Sequence, residues 1–328
     1  MENKIPQYIK DWLDIIENMK NDNTYKLAWG RAIIECVEQG LYTSKNTKVI
    51  ISFNSIAEKM LKYYWNQTFF FKLKQSSKTI KSPVIVQLTK QLIQEYEDKN
   101  DTKVPVWYEV CRKQFCNTNT FSSIIKRIAN VLPQNVSYRF SITANKTYNI
   151  YKYDKGNKFI TLTISQMQLL KEYSVVISQL LNYKWAQLLE KYNYAPRISL
   201  KVKGLSDSKI RRNNLTVYKK ALLKQFKEDN IIDFYTGKKL SPTDISIDHV
   251  IPWSYIYSDD IWNLVVTSKS MNSKKSNSIP SQDTIKRLED RNKILINYLE
   301  DSDKKYIQDI KYANDSKIVD KMYYDCRL

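Results

Sequence analysis

One stretch constrains this chain more than any other. Between Ile245 and Ser254 the order Ile-Ser-Ile-Asp-His-Val-Ile-Pro-Trp-Ser has the apolar and polar texture of a strand, and it holds the only histidine of the 328 residues. Val265-Val266 offers a second strand that returns antiparallel. Ser268 then stands as an N-cap for a helix reaching Lys275. Asp248 and His249 are neighbours on the first strand and so point to opposite sides, which lets one bind a cation while the other faces a substrate. Asn272, inside the helix, is expected to face back toward the strands.

The rest of the chain reads in two textures. Over residues 1–130, apolar side chains recur at helical spacing in Tyr8–Met19, Tyr25–Val37, Ile56–Trp65 and Val84–Tyr96. Trp12, Trp29 and Trp65 are expected to fill the core of these helices rather than to stack on bases. Near Pro133 the pattern shortens to β-rich runs (136–142, 148–153 and 158–163) divided by turn signals, which predicts a small antiparallel meander at about 136–163. A helical segment follows from about Ile164 to Tyr192, and trailing helices are expected over Asp283–Leu299 and Lys304–Met322. The fold class is therefore α+β: a mainly helical domain with the meander over residues 1–200, and a second domain over 201–328.

Charge points to the partner. Lys and Arg number 53 against 34 Asp and Glu, a net charge of +19. Codon bias toward Lys explains part of this, but acidic residues were free to keep pace and did not. A surplus of this size favours a polyanion, since each neutralised phosphate releases counterions. Ten basic residues fall between Arg197 and Glu228, against Asp207 and Glu228 itself. Of these Lys209, Arg211 and Arg212, together with Lys274 further on, are the candidate phosphate contacts, weighed against an ordinary solvated helix face. No apolar run approaches the length of a membrane span, and the start lacks a secretory pattern. Four cysteines without a CxxC pair fit reduced thiols and a cytoplasmic setting. No phosphate-binding loop of the GxxxxGK[ST] type is present, so no ATP-driven step is expected.

The residues around His249 suit phosphodiester hydrolysis. A neutral imidazole can take a proton from water near neutral pH. A carboxylate and a carboxamide can hold a hard divalent cation while leaving most of its coordination sphere to water and substrate.

The composite of Asp248-His-Val-Ile-Pro, the Asp259-Asp260 pair, Asn263 fourteen residues after the histidine, Asn272 nine further on, Lys275 and the Ser276-Asn…Pro280-Ser ending resembles the HNH (ββα-metal) endonuclease family. Within it the segment is most similar to the HNH domain of Cas9-type nucleases. Upstream, Phe234-Tyr-Thr-Gly resembles the element that opens many such domains, although Phe234 stands where a zinc-knuckle cysteine is often found.

The resemblance covers about residues 230–285. It implies a C-terminal ββα-metal nuclease domain with His249 as general base, and Asp248 and Asn272 as ligands of one Mg²⁺ or Mn²⁺ per active site. It further implies Asn263 holding the loop behind His249, and Lys275 near the scissile phosphate; no structural zinc is expected. The implied function is metal-dependent cleavage of DNA, leaving 5′-phosphate and 3′-hydroxyl ends, in a restriction- or defence-type nuclease of bacterial or phage origin. The further partner would be a second copy of the chain or a recruiting protein, and no membrane. Two alternatives stay open: a nuclease subunit active only when a partner or guide recruits it, and a non-catalytic DNA-binding protein with a relict HNH fold.

Overall fold

The computed structural model describes residues 5–77, 82–144, 146–204, 212–227 and 230–327. They belong to two compact units: residues 1–102, 106–193 and 198–209 form the first, and 103–105, 194–197 and 210–328 the second. No helix among the described residues is long and apolar enough to cross a membrane.

The first unit is helical around a small sheet. In chain order it holds α1 (Gln7–Asn18), α2 (Tyr25–Glu38), β1 (Thr43–Lys45), β2 (Lys48–Ser52), α3 (Phe53–Trp65), α4 (Val84–Asn100), α5 (Tyr108–Cys111) and α6 (Asn119–Arg139). After these come β3 (Lys152–Asp154), β4 (Phe159–Thr163), α7 (Ile164–Glu172), α8 (Ser174–Glu190) and α9 (Ile198–Lys203). Side chains start several of the helices. Ser52 accepts from the Ser55 N–H, Thr118 from that of Phe121, and Thr163 forms a reciprocal capping box with Gln166. Trp12, Trp29, Trp65 and Trp185 are fully buried, and the Trp29 indole N–H donates to the Tyr151 hydroxyl at 2.9 Å. Gly30 of α2 has a packing reason: a Cβ there would meet the Phe140 ring at 2.8 Å.

The meander expected at about 136–163 is corrected. The sheet runs β1-β2-β4-β3, all antiparallel, so half of it comes from residues 43–52. Val136–Arg139 is the last turn of α6, not a strand. The reason lies in the period: Leu132, Val136 and Phe140 are four apart and all buried, a helical stripe whose last member packs against Trp12 and Gly30. Helix α6 continues through Pro133, so burial of this stripe outweighs the lost backbone donor. Within β2 and β4 the inward residues Val49, Ile51, Ile160 and Leu162 are all buried, as a half-covered sheet requires.

The second unit holds α10 (Thr216–Leu223), β5 (Ile245–His249), α11 (Trp253–Ile256), β6 (Leu264–Ser268), α12 (Lys269–Lys275), α13 (Gln282–Ile296), α14 (Lys304–Asp315) and α15 (Ile318–Arg327). Strands β5 and β6 are antiparallel, with Asp248 opposite Val265 and His249 opposite Leu264. A two-stranded ribbon is marginal alone. Here it is held by a core that includes Leu222, Val250, Ile251, Leu264, Leu288 and Leu295, each contributing about 1.5–3 kcal/mol on full burial. The expected helix over Lys304–Met322 is divided, because Lys317 enters the left-handed region at φ 51° between α14 and α15.

Candidate active site

The site is built on β5, β6 and α12. Ser268 ends β6 and caps α12, its hydroxyl accepting from the Met271 N–H at 3.2 Å. That start directs Asn272 onto β5, where its Nδ2 donates to Ser246 Oγ at 2.8 Å and to the Ile247 carbonyl at 3.2 Å. With the amide nitrogen so engaged, Oδ1 of Asn272 takes no partner among the described residues.

Asp248 and His249, both buried, have separate partner sets, as neighbours on a strand should. Asp248 Oδ2 accepts from the Tyr235 hydroxyl at 2.6 Å and lies 3.1 Å from Lys275 Nζ, while Oδ1 accepts nothing from the described residues. His249 Nε2 lies 2.9 Å from Asp259 Oδ1. The His249 hydrogen bond is the largest influence holding the Asp259 carboxyl below the usual carboxylate range, with Asn213 as a second donor at 2.8 Å. A carboxylate only accepts, so Nε2 of His249 carries the proton and the basic lone pair belongs to Nδ1.

The loop after His249 is clamped from both sides. Asn263, fully buried, donates from Nδ2 to the Ile251 carbonyl and accepts at Oδ1 from the Ile251 N–H, both at 2.8 Å. The Val250 N–H donates to the Asn263 carbonyl at 2.9 Å. From α13, Asn292 Nδ2 donates to the Trp262 carbonyl at 2.9 Å, which fixes the segment leading into Asn263.

Structure and expectation can be compared residue by residue. Asp248, His249, Asn263, Asn272 and Lys275 gather on the ribbon and its helix. Lys275 is buried, and its ammonium is engaged by protein: Nζ donates to the His249 carbonyl at 2.5 Å besides its ion pair with Asp248. Burial pushes its pKa down and Asp248 pulls it back up. The Arg212 guanidinium lies 5.0 Å above the Trp253 ring and within electrostatic reach of Asp248 and Asp259. Lys274 is exposed on the last turn of α12. Lys209 and Arg211 lie outside the described residues.

Sequence reasoning missed three functional or supporting side chains. Tyr235 and Asp259 stood in motif elements that were noticed, but spacing along a chain gives no distance to Asp248 or His249. Asp233 is buried and accepts from the N–H groups of Tyr235, Thr236 and Ser268 and from the Thr267 hydroxyl, all at 2.8–2.9 Å. It ties the turn that carries Tyr235 to the end of β6.

The donor set fits a hard divalent cation. Two uncommitted oxygens, Asp248 Oδ1 and Asn272 Oδ1, come from β5 and from the helix packed on it. Among the described residues no cluster of three or more His, Cys, Asp or Glu could hold a metal, so such a site would keep much of its sphere for water and substrate.

Comparison with known proteins gives the same reading for this part of the chain. The HNH endonuclease family matches residues 233–281. A second family, described as a domain of unknown function (DUF8808), matches residues 10–204, more than half of the chain. The CRISPR-associated endonuclease Cas9 of Streptococcus mutans is 39% identical over 59 residues, which cover 17% of this chain and 4% of that protein. No solved structure matches.

Proposed function

We propose that this chain, which belongs to the HNH-type nuclease family and, through residues 10–204, to the DUF8808 family, is a divalent-metal-dependent DNA endonuclease. The observation that carries the proposal is a histidine whose tautomer is set by Asp259 beside two uncommitted oxygens, those of Asp248 and Asn272.

In this mechanism His249 Nδ1 takes a proton from water as the water oxygen attacks phosphorus. The bond from phosphorus to the 3′ oxygen breaks, and that oxygen is protonated from solvent, leaving 5′-phosphate and 3′-hydroxyl ends. Asp259 stabilises the imidazolium that forms. Asp248 and Asn272 would hold one Mg²⁺ or Mn²⁺, which when bound neutralises charge on the scissile phosphate and the departing oxygen. Tyr235 and Lys275 both engage Oδ2 of Asp248, which leaves Oδ1 available. Lys275 thus serves as a positioning residue, and Arg212, with Lys209, Arg211 and Lys274, is assigned to the phosphates flanking the cut.

The division of labour follows from what each region contains. Residues 201–328 cut, and residues 1–200, which carry no catalytic set of their own, select the target. A cytoplasmic restriction or defence role is proposed by resemblance. Plasmid nicking tests the reading directly. Relaxed and linear product should form with Mg²⁺ and disappear with EDTA or in His249→Ala; metal-independent cleavage, or full activity of the variant, sinks it.

A further inference from the structure

The first unit contains a cleft of about 410 Å³ where three elements meet: the segment after α1, the start of α2 and the last turn of α6. Lys20, Lys26 and Arg139 supply its cations, one from each element. Five other cations of this unit are paired with acids: Lys59 and Lys62 with Glu35, Arg112 with Glu58, Lys146 with Asp11, and Lys184 with Glu17. Lys20, Lys26 and Arg139 form no ion pair with any described residue. Burial pushes the Lys26 ammonium pKa down and repulsion from Arg139 pushes it further, while Asp22, also in the cleft, pulls it only partly back. Lys26 and Arg139 repel one another and Asp22 offsets only part of that charge, so a further anion entering the cleft is favoured. Beside the cleft the Tyr138 ring is flanked by the same Arg139 at 5.5 Å and by one further cation, Lys155, at 5.6 Å. The charge of the whole region agrees: residues 1–200 hold 29 Lys and Arg against 16 Asp and Glu, and residues 201–328 hold 24 against 18.

We propose that this cleft binds the phosphodiester backbone of duplex DNA, so that the first unit grips the target through Lys20, Lys26 and Arg139 without reading sequence. At a liquid volume of about 30 Å³ per water the cleft has room for roughly a dozen waters, more than a bare phosphate needs and suited to a hydrated backbone passing through. Contacts of this kind set position and register, and leave base recognition to other side chains. The inference rests on the DNA-endonuclease reading, and the test separates the two.

Binding is measured by fluorescence anisotropy on two duplexes of unrelated sequence, over a chloride series, with full-length His249→Ala so that the DNA stays intact. Adding K20Q, K26Q and R139Q should weaken both duplexes equally. The slope of log K against log salt should fall by about 0.9 for each lost contact, about 2.7 for all three. Lys20→Glu alone, a change at an exposed side chain, should reduce the slope on its own, which guards against misfolding of the triple variant. An unchanged slope in both variants, or a loss confined to one sequence, overturns the proposal. So does saturation of the cleft by inorganic phosphate with no effect on duplex affinity, which would mark a small-anion site. If instead His249→Ala shows no salt-dependent DNA binding and the wild-type chain cuts nothing, it is the endonuclease reading that fails.

Discussion

At the scale of single residues, chemistry is concentrated in two pairs. The His249–Asp259 pair sets which imidazole nitrogen is basic. His249→Ala should lower the cleavage rate about 10²–10⁴-fold while leaving DNA binding in place, since it removes a base and no phosphate anchor. Asp259→Ala should cost less, and the double variant no more than His249→Ala alone, because the carboxylate acts only through the ring. Single-turnover rates measure this; additive losses would show that Asp259 works independently. The Asp248–Asn272 pair is the one proposed to hold the cation. Asp248→Ala and Asn272→Ala should each lose metal-dependent cleavage. Asn272→His, which offers nitrogen for oxygen, should retain activity with preference moved from Mg²⁺ toward Mn²⁺ or Ni²⁺. A metal titration of Asn272→Ala that overlays the wild type would remove Asn272 from the ligand set.

At the scale of elements, the turn before β5 is the support on which the site depends. Asp233 accepts four donors there, and Gly237 closes the turn at φ 69°, a conformation that other residues adopt only with strain. Burial alone would raise the Asp233 carboxyl, but donors from Thr236, Ser268 and Thr267 more than reverse it and hold the group below its ordinary value. The sign follows: a depressed carboxyl stabilises the fold above the unfolded value, about 3.9, and loses that contribution as pH falls through the folded value. The wild-type chain should therefore melt at a steady temperature near neutrality and at falling temperature below about pH 4. Asp233→Asn should be less stable near neutral pH by about 1–3 kcal/mol and show a weaker acid dependence. Thermal melts across that range check both, and a variant with the wild-type acid limb would assign the dependence elsewhere. The same turn carries Tyr235, so the loss should reach cleavage through Asp248.

At the scale of the whole molecule, catalysis and selection are proposed to fall to different units. Each has its own buried core, the second one built around Leu222, Leu264, Leu288 and Leu295. A fragment of about residues 200–328 should keep weak, metal-dependent nicking with little preference among sites, and the full chain should show preferred sites or need a recruiter. Mapping cut positions on one plasmid compares them; identical preference would return selection to the nuclease unit. Much of this was legible in order alone. Strand, return strand and capped helix around His249 follow from local pattern, because period and caps act over a few residues. So do the helices from Gln7 to Asn100, whose apolar stripes are continuous. What order could not supply was pairing between distant segments. Residues 43–52 join residues 152–163 in one sheet, and Val136–Arg139 extends a helix through Pro133, since burial against Trp12 and Gly30 outweighs local preference. Likewise the sequence determined by itself that Asp248, His249 and Asn272 form a set. Only the tertiary structure decided that Asp259 holds the histidine and that Tyr235 and Lys275 hold the aspartate, because contacts of 2.6–3.1 Å depend on where loops close in space, not on how far apart their residues stand in the chain.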